Sequence, residues 1–319
     1  MSAPADGIRR RIAITGAAGY IGSQLGRHFA ADHDVLGLDV HARADVGFRL
    51  RTMDIRDRAL PALLRDERIE AVVHLAAVME SSGDRARDHA IDVQGTEHVL
   101  ASCVAAGVRH ITVTSSGAAY GYHADNPTWI DESQPLRGNP EFSYADHKRQ
   151  VEEQLAIYRR KAPQLGQLVF RVCTVLGAGT RNQITALFHK PRLLAVRGAR
   201  APFVFVWDGD VVGAITHGVT AGITGIYNLA GDGALTMDEI GHHLGKPVAH
   251  VPAAVLTAAL AVGHRIGLTR YGPEQVRFLR YRPVLSNAHL RAAFGWQPSR
   301  TSREALQLFA DAQGIGWRP

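Results

Sequence analysis

A tyrosine and a lysine four positions apart, in the run Tyr144-Ala145-Asp146-His147-Lys148, are the pair best suited to moving a proton. On a helix this spacing puts the phenol and the ammonium on one face, about 5–6 Å apart at Cβ. A cation beside a phenol favours the phenolate, so the tyrosine moves toward working as a base near neutral pH. Ser115-Ser116 close the apolar run that precedes this pair, and a hydroxyl there can hydrogen-bond a substrate oxygen alongside the phenol. Far upstream stands Thr15-Gly16-Ala17-Ala18-Gly19-Tyr20-Ile21-Gly22, between an apolar run and a helical pattern. Glycines in that setting let the backbone turn tightly against a pyrophosphate, while the helix start offers free N–H groups and a positive dipole end. Asp39, 23 positions past Gly16, is placed to grip the ribose hydroxyls of an adenosine and to repel a 2′-phosphate. The pattern predicts NAD with NADP disfavoured, although Arg43 adds a cation nearby. Each motif alone has a plainer reading: glycines mark turns, and a Tyr–Lys pair is common on surfaces.

These residues need a sheet to hold them, and the first half of the chain supplies the signals. Strands are expected at Arg11–Thr15, Asp34–Asp39, Ala71–Ala76, Ile111–Ser115 and Leu168–Val172, mostly as continuous apolar runs of the kind buried on both faces. Helices are expected at Ile21–Ala31, Ala90–Ala106 and Tyr144–Arg160, the last with Val151, Leu155 and Tyr158 on one stripe. Strand alternating with helix predicts an α/β fold with a doubly wound parallel sheet. Beyond residue 176 the pattern is irregular. Short strands are expected at Val204–Trp207 and Ile226–Leu229, with helices near Asp210–Thr220, Thr236–Leu244 and Ala253–Ile266. The expected division is a nucleotide-binding domain over 8–175 plus about 203–227, and a smaller C-terminal substrate-binding region over 176–202 and 228–319.

Composition narrows the classes. The chain has 319 residues and a net charge of +6, but only four of its 36 basic residues are lysine, and the arginines are scattered. Scattered arginine without a recognition motif reads as solvated surface, so no nucleic-acid partner is expected. The sixteen histidines include no HExxH, and adjacent His242 and His243 diverge by about 100° on a helix, so no metal site is expected. Two cysteines, Cys103 and Cys173, form no pattern and read as small apolar residues in a reducing, cytoplasmic setting. The first residues lack an export signal, and the longest apolar run, from Val251 to Gly263, is too short to span a bilayer, so no membrane partner is expected.

Taken together, the motifs resemble the extended short-chain dehydrogenases/reductases, the NAD-dependent epimerase/dehydratase family. The resemblance runs through Thr15–Gly22, Asp54-Ile55, His74-Leu75-Ala76-Ala77, Ser115–Gly121, Tyr144–Lys148, Phe203–Val211, Gly225–Gly231 and Phe294–Pro298. It implies a Rossmann nucleotide-binding domain. It implies NAD held by Gly16, Gly19, Tyr20, Ile21, Gly22, Asp39, Asp54, Ile55, Leu75, Ala76, Ala77, Tyr144 and Lys148. It also implies catalysis by Tyr144, Lys148 and Ser116, the last chosen over Ser115 by its spacing to Tyr120, and a homodimer through the helices of Ala90–Ala106 and Tyr144–Arg160.

The same resemblance puts contacts to a small-molecule substrate at Met79, Gly117, Ala118, Thr174, Asn182 and Arg200. Several of these depart from the family pattern. Gly117 and Ala118 stand where dehydratases and decarboxylases carry Asp or Glu, so elimination would lack its proton shuttle. Met79 replaces a frequent lysine, Thr174 a frequent asparagine and Ala201 a frequent arginine, while the family's Ile-Asn reads Ile91-Asp92. Two enzymatic expectations follow. One is a nucleotide-sugar 4-epimerase, and the other a dehydrogenase or reductase of a non-nucleotide alcohol or carbonyl. A cofactor-sensing regulator is the third reading, and the intact Tyr–Lys pair argues against it.

Overall fold

The computed structural model describes residues 9–79, 82–199, 202–269 and 271–319. Seven strands build its central sheet: β1 (Arg11–Thr15), β2 (Asp34–Asp39), β3 (Arg49–Thr52), β4 (Ala71–His74), β5 (His110–Ser116), β6 (Gly166–Val172) and, after three others, β10 (Gly225–Leu229). All pair in parallel, in the order β10-β6-β5-β4-β1-β2-β3. The order reverses at β1, so β1 and β4 flank the crevice at the carboxyl edge where such sheets take ligands. Alternation along the strands fills two cores. Ile12 and Ile14 join Leu25, Phe29, Phe170 and Phe294 on one face, whereas Ala13 joins Leu38, Val72, Leu100 and Leu155 on the other.

Helices cover both faces. On the first lie α1 (Tyr20–Ala30) and, later, α7 (Asp208–Ala221); on the second lie α2 (Leu60–Asp66), α4 (Gly95–Ala106) and α5 (Ser143–Lys161). The helix expected to begin at Ala90 starts earlier, as α3 (Arg85–His89), and passes through a π-helical turn at Ala90–Gln94 before α4. That turn buries Asp92, whose carboxylate the sequence pattern gave no reason to place inward. The strand β3 was also not expected: Arg49-Leu50-Arg51-Thr52 lies at the sheet edge, where charge is tolerated and alternation is lost.

The remaining elements form a second body against the carboxyl edge. They are β7 (Thr174–Leu176), α6 (Gln183–Phe188), β8 (Leu193–Val196), β9 (Phe205–Trp207), α8 (Met237–His243), β11 (Val248–Val251), α9 (Ala253–Arg265), α10 (Gln275–Tyr281) and α12 (Ser302–Ala312), whereas α11 (Ala288–Ala293) packs on β10 with Leu290 in the first core. Two parallel strand pairs, β7 with β9 and β8 with β11, frame a core of Phe188, Phe203, Phe205, Leu306 and Phe309. Capping boxes at Thr236–Glu239 and Thr301–Glu304 start α8 and α12.

His74 pins the crevice from beneath. Its Nδ1 lies 2.7 Å from Thr15 Oγ1 and its Nε2 3.0 Å from Thr96 Oγ1, tying β1 and β4 to the start of α4. The Thr96 hydroxyl donates to the Asp92 carbonyl, so Nε2 carries the ring proton and Nδ1 accepts from Thr15. Burial, and then the Lys148 charge, push the His74 pKa down to about 3. The unfolded chain binds a proton at an ordinary histidine value near 6.5 while the folded one does not. Stability from this residue is therefore complete above pH 6.5 and falls as pH drops toward 3, by up to about 1.4 kcal/mol per unit. Urea melts between pH 4 and 8 should show that slope, and His74→Gln should flatten it; parallel slopes in the two proteins would contradict the burial argument.

Candidate active site

The glycine turn follows β1 directly. Gly16 has φ +72, the left-handed region, and a Cβ there would lie 2.8 Å from the Ala76 backbone nitrogen. A Cβ on Gly22 would lie 2.2 Å from the Gly16 carbonyl oxygen. Both positions thus need glycine for close approach of backbone to backbone, which leaves a shallow cradle at the start of α1. Gly19 is the N-cap residue, makes no side-chain cap, and is followed by no acid in the first turn, so the helix start keeps its N–H groups and positive end for an anion.

Tyr20 donates its hydroxyl to Asp208 at 2.5 Å and accepts the Gly179 N–H at 3.1 Å, fastening the turn to α7 and the second body. Ile21 is half-buried against the core beneath. Leu75 and Ala76 face the turn: their N–H groups point to the Thr15 carbonyl at 3.1 Å and the Thr15 hydroxyl at 3.4 Å, and Ala77 follows half-buried.

At the end of β2, Asp39 accepts the Ala18 N–H at 2.9 Å, and Arg43 donates to the Ala18 carbonyl at 3.2 Å, so the two charges grip the peptides on either side of Ala18. Asp54 is held by Arg56 through two side-chain bonds of 2.9 and 2.6 Å, and that guanidinium keeps its carboxyl below the ordinary range. Ile55 is buried, with a methyl against Gly95. Any adenine contact at this pair has to share Asp54 with Arg56.

The Tyr–Lys pair sits in the first two turns of α5. Lys148 is buried; its Nζ donates to the Thr114 carbonyl of β5 at 2.9 Å and lies 5.8 Å from the Tyr144 ring centre. Tyr144 is half-buried. Ser116, also half-buried, ends β5 two residues past Thr114, and its Oγ accepts the Ala118 N–H at 3.1 Å to start the 3₁₀ turn Gly117–Tyr120. Ser115 points away, donating to Glu152 at 2.5 Å. Gly117 is buried against Leu285, so a side chain there would have to displace that leucine.

Among the residues expected at the substrate, Thr174 opens β7, Met79 is 68% exposed, and Ala118 is half-buried. Asn182 has its carbonyl oxygen committed to capping α6, accepting from Ile184 and Thr185. Arg200 and Ala201 lie outside the described residues. On the second helix expected at a dimer interface, the stripe of Val151, Leu155 and Tyr158 packs on the chain's own sheet; Ile157 is the large apolar side chain that α5 turns outward. Among the described residues no group of three or more His, Cys, Asp or Glu comes together as a metal site would require.

Three features of the site had no reading in the sequence. The first is a buried ion pair: Arg171 of β6 donates Nε and Nη2 to Glu152 of α5 at 2.7–3.0 Å, and its Nη1 to the Tyr120 hydroxyl at 2.8 Å. Burial opposes the Arg171 charge, but Glu152 outweighs it and raises the guanidinium pKa. A charge inside the apolar strand Gly166–Val172, and a glutamate one turn past Lys148, were the available signals. The second is Asp92, which accepts the Val78 N–H at 2.7 Å and His147 Nδ1 at 2.8 Å, joining the loop after β4 to the helix of Tyr144.

The third is Arg282. Its guanidinium lies 3.5 Å over the Phe203 ring, its Nε is shielded without a hydrogen-bond partner, and no carboxylate pairs with it among the described residues. Burial pulls its pKa down to about 9. It neighbours Tyr122, whose ring packs edge-on against Phe142 and Phe278 and which also feels Tyr144.

The family model described as the NAD dependent epimerase/dehydratase family matches residues 12–230. An uncharacterized protein of Mycobacterium tuberculosis is 23% identical over 318 residues, covering 95% of this chain and 84% of that protein. A UDP-glucose 4-epimerase of Mycolicibacterium smegmatis is 37% identical over 164 residues, which is 47% of this chain and 51% of that one. A Bordetella bronchiseptica enzyme solved in complex with NAD shares the fold, with a TM-score of 0.74 at 20% identity and coverage of 97% and 96% of the two chains.

The Glu152–Arg171 pair generates a stability test. Arg171→Met leaves a buried carboxylate without its partner and should destabilise by about 3–5 kcal/mol in urea melts. Glu152→Met in the same chain removes that orphan charge, so the double variant should recover most of the loss. A double variant no more stable than the single one would show that the pair is not the dominant contact.

Proposed function

The chain belongs to the NAD dependent epimerase/dehydratase family, and on that premise we propose that it is a nucleotide-sugar 4-epimerase whose redox step is run by Tyr144, Lys148 and Ser116. The observation that carries this reading is Lys148, buried, tethered to the β5 backbone and set beside the Tyr144 ring. An ammonium held there favours negative charge on the phenol oxygen as its proton leaves. Tyr144 then takes the proton of the sugar hydroxyl and later returns it, and Ser116 donates to the oxygen on which charge develops. The glycine turn suits a dinucleotide pyrophosphate, since Gly16 and Gly22 pack backbone on backbone and the start of α1 carries no side-chain cap and no acid. Bound NAD supplies the acceptor, and afterwards the donor, of a hydride.

Arg282 supports the substrate class. A shielded guanidinium with no acid partner, one aromatic ring away from Tyr144, suits the diphosphate of a nucleotide sugar. Gly117 and Ala118 bring no carboxylate to the site, which argues against elimination. Met79 favours a second reading, a dehydrogenase of a less polar alcohol, because its exposed thioether would flank the substrate with an apolar group.

Purified protein given UDP-glucose or UDP-N-acetylglucosamine should interconvert the C4 epimers, read by NMR. Tyr144→Phe should lower turnover by about 10²–10⁴ while leaving NAD affinity nearly unchanged. Arg282→Met should raise KM for the nucleotide sugar by roughly tenfold, the loss of one charge-assisted contact, with a smaller effect on kcat. Oxidation of a non-nucleotide alcohol with release of NADH, and no epimerisation, would favour the second reading.

Cofactor choice gives a separate test. Asp39 should favour NAD over NADP by at least about tenfold, or ~1.4 kcal/mol, in a direct titration. Equal affinities would mean that Arg43 compensates the 2′-phosphate.

A further inference from the structure

A cavity of about 860 Å³ lies between α9, α10 and the loop that follows the 3₁₀ turn Gly117–Tyr120. Its volume falls in the range of small-molecule sites. Tyr144, Lys148, Ser116 and Arg282 are not among the residues that line it, so it is a different place from the centre described above. The two are neighbours all the same. Tyr122 forms part of the cavity wall and also feels Tyr144 and Arg282.

The walls are held in place by the protein's own bonds. On the loop side Tyr122 donates its N–H to Asn139 at 2.6 Å, and Asn126 donates to the Gly121 carbonyl at 2.8 Å. His123 Nε2 lies 2.9 Å from the Gly138 carbonyl. The Tyr122 ring packs edge-on against Phe142 and Phe278. Opposite, Arg277 of α10 reaches Glu141 at 2.8 Å and ties that helix to the segment before α5. Ala253 and Ala254 of α9, with Pro273 and Val276, give this side an aliphatic surface.

Charge and shape narrow the ligand. Of the charged side chains on the wall, Asp125 is paired with Arg137 and Arg277 with Glu141, while Glu274 accepts the Gly272 N–H at 3.2 Å. Arg280 is different. Its Nε is shielded without a hydrogen-bond partner, its guanidinium stands 4.8 Å from the centre of the Tyr281 ring, and no carboxylate pairs with it among the described residues. A shielded donor left unsatisfied costs folding free energy, which an arriving acceptor recovers. One unmatched guanidinium, with the carboxylate of Glu274 on the same wall, suits a single negative charge and disfavours the two of a phosphate monoester. The planar fork of arginine matches a carboxylate, and the Tyr122 and Tyr281 rings beside an aliphatic surface suit an aromatic body.

We propose that this cavity binds an aromatic monocarboxylate, with the carboxylate on Arg280 and the ring system against Tyr122, Tyr281 and the aliphatic surface of Ala253, Pro273 and Val276.

The probe is 1-naphthoate, titrated by calorimetry into the full chain with NAD at saturation so that the dinucleotide site is filled. It should bind about tenfold tighter than 1-naphthalenemethanol, its neutral counterpart, and also tighter than 1-naphthyl phosphate. Arg280→Met should abolish the preference for the acid over the alcohol. Ala254 is exposed at the rim, so Ala254→Trp should fill the cavity without disturbing the fold. It should weaken both ligands by about tenfold while NAD affinity and melting temperature hold, which tests the location independently of the arginine variant. Arg282→Met should leave 1-naphthoate affinity within about twofold, since that guanidinium belongs to the other site. Absence of binding, an acid preference that survives Arg280→Met, affinity indifferent to Ala254→Trp, or affinity lost with Arg282→Met would each overturn the proposal. Tighter binding of the naphthyl phosphate would overturn the ligand class.

Discussion

The placement of Tyr144, Lys148 and Ser116 depends on the contact between Glu152 and Arg171. Both side chains are almost wholly shielded from water, at 4% and 6% exposure, and their bonds cross from α5 to β6. Glu152 also receives the Ser115 hydroxyl, and Arg171 supports the Tyr120 hydroxyl, which donates to Asn228 of β10. One network therefore fixes three neighbouring strands and the helix laid across them. Ser116 is one residue from it and Lys148 one turn from it. Such a pair contributes little net stability, because desolvation offsets the attraction, but it tolerates almost no displacement. That intolerance suits the proposed chemistry, in which a phenol, an ammonium and a hydroxyl converge on one oxygen.

A second constraint acts across the crevice. The loop after β4 is held by Thr15 on one side and by Asp92 on the other, and Asp92 reaches through His147 to the helix of Tyr144. The π-helical turn at Ala90–Gln94 is what swings Asp92 inward, a use of such turns that recurs at functional sites. Beneath, His74 stays neutral because burial and the nearby Lys148 both oppose its charge. Lys148 thus faces a neutral neighbour there, and its field acts on the phenol without a rival cation at that position.

Local features were the legible ones. β1 and β2 match their sequence-based bounds, and Thr15–Gly22 could be placed because strand, glycine turn and helix follow one another within a dozen residues. The Tyr144–Lys148 pair needs only one helix to be recognised. By contrast, Glu152 and Arg171 each have a local oddity, yet their union depends on how α5 lies across the sheet. Asp92 needs a π turn that no periodicity announces. β3 carries two arginines in four residues and so lacks the alternation by which strands are found. The apolar run of α9 was visible, but exposure is a tertiary property and its length addressed only whether it could span. The Thr301–Glu304 capping signature is legible by its spacing, but the second half around it lacks the regular alternation that would assign the helix a place in the fold.

The groups proposed for chemistry and for recognition are supported differently in this chain. Tyr144, Lys148 and Ser116 belong to the central sheet and α5, where an extensive core on both faces limits motion. Arg282 belongs to the second body, stacked on Phe203 and near Phe278 instead of being paired with an acid. Folding already shields the Nε of that guanidinium from water, and burial is why its pKa falls. An anion arriving there meets a cation whose desolvation has largely taken place and whose orientation the aromatic rings have fixed, so more of the Coulomb attraction survives as binding. The same group in open water would attract anions weakly and without preference for shape. Under the proposed function a local disadvantage to folding becomes discrimination at the site, which is the kind of conflict between sequence rules and structure that functional positions retain.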